Sequence, residues 1–245
     1  PTPPTGDNRD RYLQAADKFK LMKILNFLLL FIFTLNCYSQ HNLREYYYPM
    51  SDKVETKIYK YVDRNDTTYV EYWKIKTDPI KNTIVTDSYR SNFRIYNVFQ
   101  EELKDDGAYL TKYEDYNSNQ KAIPSEITKN EVYKWTDTSS YSYSVTYEVE
   151  NENIKERMTK TRKQIGFEDI EVRNKTYKTV KFLDLYKMEM LGLDLDYNME
   201  QTTFYAKDFG MVKYKRFIPN GNSIELELDK ILTEKEFEEL KAASR

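Results

Sequence analysis

Asp194, Asp196 and Asn198 place side-chain oxygens at alternate positions, as the start of a calcium loop does. An EF-hand loop then requires glycine at its sixth position and a bidentate glutamate at its twelfth. Met199 and Tyr205 stand there, so the pattern fails and the segment reads as a solvated loop. His41 is the one histidine and Cys37 the one cysteine, which leaves no zinc-ligand set, no disulfide framework and no Cys–His pair. A Ser-His-Asp triad would need His41 held against a serine by an orienting carboxylate. It lies instead beside the expected start of the mature chain, where such a geometry is seldom kept. The 40 acidic residues allow a glycosidase-type carboxylate pair on paper, but nothing singles out two of them. Glu225, Glu227 and Asp229, for example, alternate with Ile224, Leu226 and Leu228 and read as the wet side of a strand. No glycine-rich phosphate loop is present. The expected catalytic, cofactor-binding and metal-binding residues are therefore none, and the chain reads as non-enzymatic. What remains is aromatic. Tyr46-Tyr47-Tyr48, Tyr72-Trp73 and Trp135 could stack on sugars or line an apolar pocket, although aromatics on strand faces more often form plain core.

The elements that would position these groups are strands. Tyr141, Tyr143, Val145, Tyr147 and Val149 alternate without a break with Ser142, Ser144, Thr146, Glu148 and Glu150. Successive strand side chains point to opposite faces, so this pattern predicts one buried and one wet face, the mark of antiparallel sheet. Asp63-Arg64-Asn65-Asp66 and Lys104-Asp105-Asp106-Gly107 punctuate such runs, and Pro219-Asn220-Gly221-Asn222 is a strong hairpin signal because Asn-Gly accepts positive φ angles. The spacing predicts an all-β fold, a strongly curved antiparallel meander of roughly 11–13 strands forming a half-barrel or open barrel. Long breaks are expected at 117–130 and 191–201. Thr233 with Glu236 three residues on forms a capping box, so one short C-terminal helix should follow.

With 38 basic against 40 acidic residues, the chain offers no basic patch for nucleic acid. A mean hydropathy of −0.82 excludes a polytopic membrane protein. The 23 tyrosines and 12 phenylalanines among 245 residues argue equally against disorder. Met22 and Lys23 precede an apolar run from Ile24 to Leu35, too short to cross a bilayer but suited to the core of a secretory signal. Small residues Cys37 and Ser39 fit cleavage before Gln40, and Asn36-Cys37-Tyr38-Ser39-Gln40 resembles the endings of Bacteroidota signal peptides. Lipidation of Cys37 is one alternative, weakened by Thr34 where lipoboxes carry leucine, and a retained membrane anchor is the other. The expected organisation is an upstream segment 1–21, a signal peptide 22–39 and a single β domain 40–245, exported to the periplasm or beyond, with no transmembrane span in the mature part.

Thr203-Phe204-Tyr205-Ala206-Lys207-Asp208-Phe209-Gly210-Met211-Val212-Lys213, with Ile170-Glu171-Val172 and Lys175-Thr176-Tyr177-Lys178-Thr179-Val180-Lys181 upstream, resembles segments of an uncharacterised family of secreted envelope proteins, the DUF3108-like domains. The resemblance covers about residues 165–230, with Phe209 replacing the usual valine before Gly210. It implies a shape similar to the half-barrels of LolA- and LolB-type lipoprotein carriers and brings no catalytic residues. The expected partner is a lipid or another apolar or amphipathic small molecule, alternatively an envelope protein docked on a sheet face, with a carboxylate-dependent hydrolase as the third reading.

Overall fold

Period-two alternation runs through nearly the whole chain, and the strands follow it. The computed structural model describes residues 42–136, 139–149, 154–219 and 221–244. The apolar run, Cys37, the expected cleavage site and His41 lie outside the described residues. A 3-10 turn at Leu43–Tyr46 leads into β1 (Glu55–Asp63), β2 (Val70–Asp78), β3 (Thr83–Arg90), β4 (Ile95–Lys104), β5 (Gly107–Tyr116), β6 (Ala122–Pro124), β7 (Glu126–Lys134), β8 (Tyr141–Glu148), β9 (Lys155–Val172), β10 (Lys175–Leu191), β11 (Leu195–Ala206), β12 (Gly210–Phe217) and β13 (Ser223–Leu232). The helix α1 (Glu234–Ala243) ends the chain, opened by the expected Thr233–Glu236 capping box.

Each strand pairs antiparallel with its sequence neighbour, except that β5 skips to β7 while β6 adds only to β5. The last strand returns to the first, Ile58 opposite Leu232, so the meander closes into a twelve-strand barrel. An even strand number lets every pair stay antiparallel at closure. The curvature expected of a half-barrel thus carries through to a full circuit. Register shifts at Lys60/Tyr61, Ser88/Tyr89, Gln100/Glu101, Lys181/Phe182 and Phe204/Tyr205 supply it, because a bulge bends its strand and sharpens the twist.

Two expected breaks become ordered structure. Residues 122–134 form β6 and β7, and the gap after Leu191 is only a short turn before β11 begins at Leu195. Polar residues there match strand propensity poorly, and pairing with neighbours overrides it. Glu225 and Glu227 are also not solvated. They are buried on the outer face, where Lys213 contacts them at 2.6 and 3.2 Å, and Arg64 and Arg173 approach.

The main core lies inside the barrel, and a smaller one lies outside. Phe237 of α1 packs there on Tyr72, Tyr89 and Phe93, with Ile58 and Leu232 beneath. The helix therefore covers the outer wall and leaves the concave face to other residues. One barrel end is instead plugged by residues 42–48. Leu43 N donates to Trp135 O (2.6 Å), and Asp208 N donates to Glu45 O (2.9 Å). Tyr47 enters the barrel against Tyr133, Trp135 and Tyr205, and Tyr48 against Tyr59. Gly210, at φ 86°, lies flat against the Tyr48 ring. A side chain there would overlap the ring and sit in a strained backbone region, which is why the strand-turn-strand needs glycine at this point.

Candidate ligand-binding lumen

Above the plug the barrel encloses a cavity of about 440 Å³. Its wall is built by the inward-facing alternate residues of β2 to β5 and β7 to β12, and strand register sorts those of β9 to β12 into layers. Deepest, Asp184 lies opposite Arg162 and Gln201, and Gln201 opposite Arg216. Next, Tyr186 lies between Lys160 and Met199. Then Met188 lies between Met158 and Tyr197, and finally Met190 lies between Glu156 and Leu195. Along β9 to β12 the wall thus passes from a layer of charged and amide side chains to methionine-rich layers toward the end away from the plug, with Lys160 and Glu156 interspersed. There Arg90, a lining residue, is exposed, as are Leu195 and Tyr197. Methionines suit a wall that must fit a flexible apolar guest, since the unbranched thioether repacks easily. Across the lumen, Phe99 meets Tyr143 edge-on, and Tyr113 stacks with Tyr147.

The charged floor is tightly engaged. Arg162 grips Asp184 through two donors, Nε to Oδ1 at 2.6 Å and Nη2 to Oδ2 at 2.8 Å. Lys160 Nζ lies 3.0 Å from Oδ2, to which the Thr203 hydroxyl also donates at 2.6 Å. Burial alone would raise the Asp184 carboxyl, but Arg162, Lys160 and the Arg162 and Thr203 hydrogen bonds outweigh it and hold the group well below the usual carboxylate range. The guanidinium of Arg162 also lies over Phe182, Tyr205 and Tyr133 at 5.0, 5.1 and 5.9 Å. Glu71 accepts from Tyr69 OH (3.2 Å), Trp73 Nε1 (3.0 Å) and Tyr96 OH (2.9 Å). Tyr47 OH, from the plug, donates to Glu101.

Burial pushes the Glu101 carboxyl up to about 7, against the downward pull of the Tyr47 bond and of Arg162 and Lys160. In the unfolded chain it would titrate at the ordinary glutamate value of about 4.5. Between those values the native state holds a proton that the unfolded chain has released, so this group's contribution to stability is present at low pH and is lost as pH rises through about 7. Thermal melts of the wild type should therefore fall from about pH 5 to about pH 8 by more than those of Glu101→Gln, which is also the more stable of the two at the upper end. Parallel curves for the two proteins would contradict the assignment.

Of the aromatic candidates, Tyr47, Tyr48 and Trp73 line the lumen, whereas Trp135 packs at the plugged end and Tyr72 turns outward to α1. The segment from Asp194 to Asn198 is a hairpin turn running into β11, and no group of three or more potential metal ligands gathers among the described residues. Sequence reasoning did not single out Arg162, Asp184, Lys160, Gln201, Arg216, Glu71 or Glu101. For some of them a signal was visible. Asp184 interrupts the apolar inward series Val180, Phe182, Tyr186 and Met188, and a lone charge on an apolar stripe is a buried charge in waiting.

No family model matches the chain, and no curated protein does. The DUF3108-like resemblance therefore rests on the quoted residues alone. Among solved structures, a presumed lipoprotein of Parabacteroides distasonis is similar at 11% identity with a TM-score of 0.48, over 76% of this chain and 97% of the other. A presumed exported protein of Bacteroides fragilis with a YmcC-like fold is similar at 8% identity and 0.47, over 76% and 99%. Likeness at this level assigns neither family nor function.

Proposed function

We propose that this chain is an exported, non-catalytic protein whose β domain, residues 40–245, holds one amphipathic small molecule in its lumen. The observation that carries the reading is the cavity of about 440 Å³, a size typical of small-ligand sites, with a charged floor and Met158, Met188 and Met199 along one wall above it. A hydrolase needs carboxylates free to exchange protons with a substrate. Here Asp184 is committed to Arg162 and Lys160 and Glu71 to three aromatic donors, and among the described residues no two lumen carboxylates are seen to face each other across a cleft as a glycosidase pair would. The outer wall carries ion pairs such as Lys60–Asp229, Lys74–Glu234 and Lys187–Glu189, the reverse of the apolar band of a membrane-spanning barrel. Export is supported by Lys23 and the short apolar run that follows it.

The test is native mass spectrometry of protein purified from its own envelope, followed by titration with a hydrophobic fluorescent probe. One bound molecule per barrel, or saturable one-to-one probe binding, is expected. An empty barrel with only linear, non-saturating probe uptake would overturn the reading and leave the outer wall as the working surface.

A further inference from the structure

Resting on the lumen reading above, we infer that Arg216 is the anchor for a single carboxylate at the deep end of the ligand, so that the barrel selects long-chain or aromatic monocarboxylic acids over their uncharged analogues. Arg216 lines the cavity and is only partly exposed. Its Nε donates to Gln201 Oε1 at 2.9 Å. Its guanidinium lies 5.3 Å from the centroids of both Tyr186 and Tyr214. No carboxylate of the described residues comes within ion-pair distance of it, in contrast to Arg162 and Lys160 on β9, which both pair with Asp184. Two of its nitrogens therefore remain without a protein acceptor among the described residues, whereas Arg162 and Lys160 are neutralised by Asp184 and Arg90, nearer the mouth, lies over the Tyr96 ring. An arginine cannot shed its proton to escape that position, and its planar fork matches a carboxylate in two parallel hydrogen bonds.

The fork is aimed by a relay. Gln201 Nε2 donates to the Thr203 hydroxyl (3.0 Å), which donates to Asp184 Oδ2 (2.6 Å), so the acceptor that holds Arg216 Nε is fixed by the buried floor. The two tyrosine rings limit rotation of the guanidinium plane. Charge then limits what can dock. Glu71 is near enough to act on Arg216 electrostatically, and Glu101 and Asp115 also line the cavity. One negative charge is balanced by Arg216, whereas a dianionic phosphate would meet these carboxylates with only Arg90, nearer the mouth, as a further lining cation without an ion pair among the described residues. Beyond the anchor, Tyr186, Met199, Met188 and Met158 form the continuous apolar track along which the rest of the molecule would lie.

The experiment compares dansylated undecanoic acid with its methyl ester on the full chain by fluorescence titration. The wild-type barrel is expected to bind the acid about tenfold or more tightly than the ester, the discrimination a bidentate arginine–carboxylate pair supports. Arg216→Gln should lose that preference while keeping the ester affinity, and Arg216→Lys should recover only part of it because a point charge cannot make the paired contact. Equal binding of acid and ester by the wild type overturns the anchor while leaving the lumen reading in place, and it needs no variant to fold. An intact preference in folded Arg216→Gln overturns it as well. Tighter binding of dodecyl phosphate than of dodecanoate would overturn the limit to one charge. Absence of any saturable binding overturns the lumen reading and the anchor together.

Discussion

Replacing Asp184 with alanine is expected to destabilise the barrel by about 3–5 kcal/mol, the cost of leaving a buried cation without its counter-charge. Arg162 loses both of its ion-pair hydrogen bonds, Lys160 its partner and Thr203 its acceptor, all at the closed floor of the lumen. Asp184 itself has no exposed surface, so water cannot take its place without opening the wall. Urea denaturation at neutral pH measures the effect. The pH dependence gives a second signature. Because the folded Asp184 carboxyl is held well below the usual range, its stabilising contribution is present above about pH 4 and is lost as the pH falls through the folded value. Asp184→Ala should therefore lack part of the steep acid unfolding of the wild type. A variant within about 1 kcal/mol of wild type at neutral pH would show that the cluster is not the keystone its geometry describes.

A comparable loss is expected from Val145→Asp, at about 4 kcal/mol or complete failure to fold. Val145 is fully buried in the interior cluster between Tyr143 and Tyr147, opposite Met158 on β9. A carboxylate there lies opposite Met158 on β9 and Ile127 on β7, with no cation directly opposite it and no exposed surface to hydrate it. Ser142→Asp, on the other face of the same strand, should cost under about 1 kcal/mol. The contrast between the two, read from denaturant midpoints or the yield of folded protein, tests the face assignment. Similar losses at both positions would show that the strand does not present Val145 inward.

The inward face of β8 was legible because alternation is a local property, but its other face is wet only in part, since Ser144 and Thr146 are buried against neighbouring strands. The capping box at Thr233 and the turn at Asp105-Asp106 were legible for the same reason, since each is made within a few residues. The strand content of 122–134 was not, because Lys129, Asn130 and Glu131 carry little strand propensity and are held by β5 and β8.

What the sequence by itself determined is therefore the class of the fold, its antiparallel order, its aromatic interior and its C-terminal helix, which follow from side-chain periodicity and a local capping box. Closure, the plug and the lumen were decided only by the tertiary structure. Whether the sheet stops as a half-barrel or closes depends on β1 meeting β13, a contact between chain segments more than 150 residues apart, as in Ile58 and Leu232. That Tyr47 turns inward to Glu101 while Tyr72 turns outward to Phe237 depends on which side of the closed wall each strand presents. The floor joins Arg162, Asp184, Gln201 and Arg216 from four strands, and each looks in the sequence like one more polar residue among many. Their chemistry comes from burial and register, and both are properties of strand pairing that no local pattern encodes.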